Sequence, residues 1–184
     1  DQEAPNQNIM RFRPEHNVAR QEDFTRALIK CNENLPVKLV CVVQRGGIET
    51  SEDLKRYASW AFNLGVKTVI FREFSQLPQQ YRANATRRYI DENRISMESL
   101  LSVCMADKHF RHQYQPFRLT EGYYFWNARW LRQDGCELVF EKSDYQSMLQ
   151  HEASGLVYKL VFHANGKLCT GWNPNRNVLW SVDE

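Results

Sequence analysis

Residues 37–73, VKLVCVVQRGGIETSEDLKRYASWAFNLGVKTVIFRE, constrain the fold more than any other part of the chain, because they spell out a complete strand, helix, strand unit. Residues 37–43 are a β-branched apolar run and 44–50 a polar turn bearing Gly46 and Gly47. Ser51, Glu52 and Asp53 then open a helix with acidic groups at its positive end. Leu54, Tyr57, Ala58, Ala61 and Phe62 recur at helical spacing, Gly65 ends the helix, and residues 67–71 form a second, short apolar strand. Such a crossover pairs its strands in parallel. In folds of this type ligands meet the loops after the carboxyl ends of the strands, so position nominates Gln44, Arg45, Arg72 and Glu73 as site residues.

On either side of this unit the pattern continues and then changes. Phe24, Ala27, Leu28 and Cys31 mark a helix over 21–32, and Met97, Leu100, Leu101, Cys104 and Met105 mark another after Ser96, whereas 75–95 shows no strong periodicity. From Phe117 aromatic and β-branched residues dominate, and Asp134-Gly135 and Asn165-Gly166 separate strand-like runs. Strands are expected at 123–131, 137–141, 156–163 and 167–172, with a short helix at 143–151. The expected fold is α/β: a partial (β/α) barrel with parallel strands over 1–116, and an antiparallel β region over 117–184 packed on it.

The chain has 184 residues, 42% of them hydrophobic, enough for a full core. Its formal charge of +2 argues against electrostatic capture of nucleic acid as the main activity. Five scattered cysteines, Cys31, Cys41, Cys104, Cys136 and Cys169, lack the paired spacing of a small metal site and read as reduced thiols. No apolar run approaches the roughly 20 residues a membrane helix needs, and residues 1–10 do not read as a signal or transit peptide. The expectation is a cytoplasmic protein with no membrane association. The start at Asp1 reads as that of a fragment of something longer.

The central unit resembles the later part of the barrel of radical S-adenosylmethionine enzymes, in the branch of the molybdenum-cofactor pyranopterin synthase. VKLVCVVQ, then GGIETSEDLKRYASWAFNLGVK, then TVIFREF is similar to a late strand, helix, strand turn ending in an Arg-Glu pair, and DQEAPNQNIM resembles the polar segment after the fourth barrel strand. RYIDENRISMESLL and VFHANGKLCTGW resemble carboxyl-terminal segments of relatives more loosely. The family's CxxxCxxC cluster motif is absent from the chain. The resemblance therefore implies the carboxyl-terminal portion of such an enzyme, or a homologue without the cluster. It further implies that the intact protein uses S-adenosylmethionine and an iron-sulfur cluster to abstract hydrogen from a small-molecule substrate, with Gln44, Arg45, Arg72 and Glu73 near the adenosyl group or substrate. Alone, this chain is expected to hold neither cofactor, to be inactive, and to self-associate through exposed strand edges.

Blander readings stand beside these. Arg72 and Glu73 are strand neighbours, so they point to opposite faces and at most one enters a barrel; a structural ion pair is the alternative, and Arg72 is the better candidate. Gly46-Gly47 is a plain turn before it is a phosphate cradle. Cys104, His109 and His112, with His151 or His163, have spacing a metal can use, but Cys104 lies on an apolar helix face and no metal is expected. Asn84-Ala85-Thr86 matches a glycosylation acceptor by chance. The rival functional class is a binding module for single-stranded nucleic acid or a protein partner. It would use Tyr123, Tyr124, Phe125, Trp126 and Trp130 with Arg118, Arg129 and Arg132, although period two also makes Tyr124, Trp126, Ala128 and Trp130 one core face.

Overall fold

A computed structural model describes residues 20–78, 81–157 and 159–182. The opening segment that carries part of the resemblance lies outside the described residues. The chain divides into two compact units, Asp1–Tyr145 and Gln146–Glu184.

In the first unit, α1 (Gln21–Asn32) leads to β1 (Lys38–Val43), α2 (Ser51–Asn63) and β2 (Thr68–Glu73). Then come α3 (Ala85–Asn93), α4 (Met97–Ala106), α5 (Lys108–Gln113), β3 (Tyr114–Glu121), β4 (Phe125–Arg132) and β5 (Glu137–Ser143). The central unit forms as its sequence dictates. The Thr50 hydroxyl and the Asp53 carboxylate cap α2 reciprocally. Gly65, at φ +82°, ends it in a conformation that favours glycine, where an added Cβ would stand 2.8 Å from the Asn32 side chain.

The five strands form one mixed sheet in the order β1-β2-β5-β4-β3. β1, β2 and β5 run parallel, while β4 and β3 are antiparallel. The architecture is thus α/β, with parallel strands at one side of the sheet and a β-meander at the other; among the described residues the sheet is open. The domain boundary expected at 116/117 falls inside β3. The reason is register: Leu138 and Phe140 of β5 align with Val69 and Phe71 of β2, so the aromatic-rich strands extend the parallel sheet instead of building a separate layer.

The core lies on one face. Leu39, Val43, Val69, Phe71, Leu138, Phe140 and Trp130 are buried there against Ala58, Ala61 and Phe62 of α2, Met97, Leu100 and Cys104 of α4, and Phe110 of α5. Phe110 sits among Tyr114, Trp130 and Phe140 at ring-centroid distances of 4.9, 5.8 and 6.5 Å. Lys55 of α2 bonds Asp107 between α4 and α5 at 2.8 Å, tying the helices together. The opposite face carries Val40, Val42, Ile70, Arg72, Glu141, Asn127 and Arg129, half-buried or exposed, and the buried Val139, in alternation with the core residues.

The second unit includes most of α6 (Tyr145–Ala153) and a small antiparallel sheet, β6 (Val161–Phe162), β7 (Lys167–Cys169) and β8 (Val178–Ser181), in the order β6-β7-β8. The strands expected at 156–163 and 167–172 are shortened to two and three residues. Phe162 and Trp180 flank Leu168 across this sheet and stack at 6.2 Å, both exposed. Lys159 lies 5.0 Å from the exposed Trp172 ring.

Candidate functional site at the carboxyl ends of the parallel strands

β1 and β2 end together because they pair from Lys38↔Thr68 to Val43↔Glu73. Each strand end is held by α3 or by the segment joining it to α4. Gln44, buried after β1, accepts a 2.8 Å hydrogen bond on Oε1 from the Tyr89 hydroxyl. The Arg45 amide donates to the Asn93 carbonyl at 3.0 Å, while the Arg45 side chain is exposed. Glu73, whose side chain has no exposure, accepts from the Met97 amide at the first turn of α4 at 2.7 Å and pairs with Arg94. Arg94 Nε donates in turn to the Phe74 carbonyl at 3.2 Å. A carboxylate at a helix amino terminus also meets the positive end of the helix dipole. Gln44, Arg45 and Glu73 are thus gathered around Tyr89, Asn93 and Arg94.

Arg72 goes the other way. Being next to Glu73 in the strand, it projects from the face turned away from α2, α4 and α5, where its Nε and Nη2 both donate to Glu141 Oε2 of β5 at 2.9 and 2.6 Å. Side-chain exposure is 49% for Arg72 and 24% for Glu141. On the same face Arg129 Nη2 donates to Glu137 Oε2 at 2.7 Å, and its Nε lies 2.6 Å from Oε1. Just past the end of β2, the Ser75 hydroxyl bonds that of Ser143, the last residue of β5.

The Gly46-Gly47 loop is filled by its own acids. The Gly46 amide donates to Glu49, and the Glu49 and Thr50 amides donate to Asp53, at 3.4, 3.4 and 3.1 Å. An anion arriving there would compete with two resident carboxylates, so the turn reading accounts for this loop. Cys104 is a core thiol, pushed up to about 11 by burial. Among the described residues no three His, Cys, Asp or Glu side chains converge as a metal site. Trp130 is buried in the core, and Trp126 and Ala128 pack partly against it. Asn84 caps α3, its side chain accepting from the Arg87 amide at 2.8 Å.

Tyr89, Arg94 and Glu141 are the site residues that sequence reasoning missed. Asn84 followed by the apolar pair Tyr89-Ile90 was the available signal for α3, and a weak one. Glu141 had none, since its place beside Arg72 depends on a pairing 69 residues apart.

No family model, curated protein or solved structure matches the chain. No helix among the described residues is long and apolar enough to cross a membrane.

Proposed function

We propose that this chain is the carboxyl-terminal portion of a radical S-adenosylmethionine enzyme, its parallel strands β1, β2 and β5 belonging to a partial (β/α) barrel. The observation that carries the reading is the polar pair Arg72–Glu141 at the carboxyl ends of parallel strands, on the face opposite the helices. That is the inner face when parallel strands wrap into a barrel with helices outside. Exposed apolar groups lie on β1, which the sheet order puts at an edge, and on α1: Val40 on the strand, Phe24 and Ile29 on the helix. They support a further strand and helix adding there, or self-association of this chain alone.

The residues present do not fit an iron-sulfur cluster. The chain lacks the cysteine triad, and Cys104, Cys136 and Cys169 are buried while Cys41 is half-buried. In this reading the cluster belongs to the other half of the intact cytoplasmic protein, and no bond-breaking step runs through this chain. Its part is positioning: Glu73, Arg94 and Tyr89 hold the two loops rigid, and Arg72 faces the bound small molecules. The test is the intact mass and upstream sequence of the protein from its native source, followed by anaerobic reconstitution and assay for 5′-deoxyadenosine. An upstream CxxxCxxC and deoxyadenosine release support the reading; a native start near Asp1 overturns it.

A second reading, a binding module for single-stranded nucleic acid or a protein partner, is favoured by the exposed Phe162, Trp172 and Trp180 of the second unit. Salt-sensitive oligonucleotide binding lost in Trp172→Ala would support its nucleic-acid form.

A further inference from the structure

The two arginine–glutamate pairs on the open sheet face differ in how many carboxylate oxygens they engage. Both Glu137 oxygens are engaged: Arg129 Nη2 donates to Oε2, the Thr68 hydroxyl lies 3.5 Å from Oε2, and Arg129 Nε lies 2.6 Å from Oε1, though without the alignment of a hydrogen bond. Glu141 engages one oxygen. Arg72 presents two donors to the single oxygen Oε2, so Glu141 Oε1 and Arg72 Nη1 have no partner among the described residues. The Asn127 amide, across from Glu141 in the β4–β5 register, likewise has none among the described residues. Val42 faces Arg72 from β1, and Val40 and Ile70 pair one step further down the same face. The row therefore runs apolar, cationic, anionic, amide across four adjacent strands.

We infer that this row binds the zwitterionic head of an apolar α-amino acid, its carboxylate on the open edge of the Arg72 guanidinium and its ammonium on Glu141 Oε1. The amino acid's side chain lies over Val42, Val40 and Ile70. A carboxylate matches the planar guanidinium fork, and an ammonium matches a carboxylate oxygen. Adjacent opposite charges in the ligand meet adjacent opposite charges in the row, so neither protein group is left unpaired on binding. A ligand with only one of the two charges makes only one of the two contacts. The inference deepens the proposed function by naming a substrate class for the same face, and rests on that reading for the reaction but on the sheet alone for binding.

The experiment is backbone-amide NMR of this chain titrated with leucine, N-acetyl-leucine and leucinamide, each to about 10 mM, where a site of millimolar affinity saturates. Leucine is expected to shift amides of residues 70–72, 127 and 139–141. The two blocked analogues, and leucine with Arg72→Gln or Glu141→Gln, should bind about tenfold more weakly. Arg129→Gln should bind leucine as the unaltered chain does. Absence of shifts in that row overturns the proposal, as does equal binding of N-acetyl-leucine or undiminished binding by Arg72→Gln. Failure of the intact, reconstituted protein to cleave S-adenosylmethionine would overturn the enzyme reading while leaving the leucine titration to stand or fall by itself.

Discussion

The two faces of the five-stranded sheet treat neighbouring residues of one strand in opposite ways. Glu73 turns into the helix-covered face, loses all exposure, and exchanges water for Arg94 and the start of α4. Arg72, one peptide bond earlier, stays half in solvent with Glu141. A buried carboxylate must be fully partnered or it costs more than it returns, whereas an exposed pair contributes little to stability and can exchange partners. The difference separates the roles: the packed face fixes the geometry of the strand ends, and the open face is where a ligand can compete.

The sharpest way to break this division is through the packed face. Phe110→Ala should cost about 4 kcal/mol, since it removes the ring that Tyr114, Trp130 and Phe140 share and leaves a cavity among large rigid neighbours. Urea unfolding measures it, and a loss below that of an ordinary surface change would mean the helix layer is not what holds the sheet. Glu73→Ala should follow at about 3 kcal/mol, because Arg94 keeps its charge without an opposite charge beside it and the Met97 amide loses its acceptor. The double variant Glu73→Ala, Arg94→Ala should recover part of that loss, which a simple packing defect would not do.

Alkaline titration sharpens the comparison next. Burial pushes both Cys41 and Cys104 on the packed face from 9.0 up to about 11, and raises the Tyr57 phenol as well. Raised folded-state values mean that the stabilisation is complete below pH 9 and is lost as pH climbs toward 11, because the unfolded chain releases those protons first. Stability should fall by about 2 kcal/mol for each of the two thiols between neutral pH and pH 10.5. Replacing both cysteines by alanine should flatten that slope to the share left by the other groups raised in the fold, Tyr57, Tyr114, Cys136 and Lys55, whatever it does to stability at pH 7. An unchanged slope would remove the thiols from the account.

Much of the packed face was legible from residues 37–73, because period-two and period-3.6 patterns are local and the Thr50–Asp53 cap is spelled out within four residues. The open face was not. Arg72 could be nominated from its strand end, but its partner Glu141 reaches it only because β5 returns parallel to β2, a pairing that no local pattern in 114–143 announces. The aromatic alternation at 124–130 correctly implied a buried face, yet it gave no sign that the strand belongs to the same sheet as β1 and β2. Tyr89 and Arg94 escaped notice because α3 has a polar composition and no buried residue, so its function in holding Gln44 and Glu73 leaves no hydrophobic period to find.

The smallest expected effect discriminates most finely. Arg72→Gln and Glu141→Gln should each change stability by no more than about 0.5 kcal/mol, since the pair is partly solvated and water can replace either partner. A loss near that of Glu73→Ala would make Arg72–Glu141 a strut like its buried neighbour, and would leave the open face without a group free to exchange partners. A near-neutral result, measured by urea unfolding beside the ligand titration, keeps stability and recognition on opposite faces of one strand, so that any loss of binding in these variants is lost contact and not lost structure.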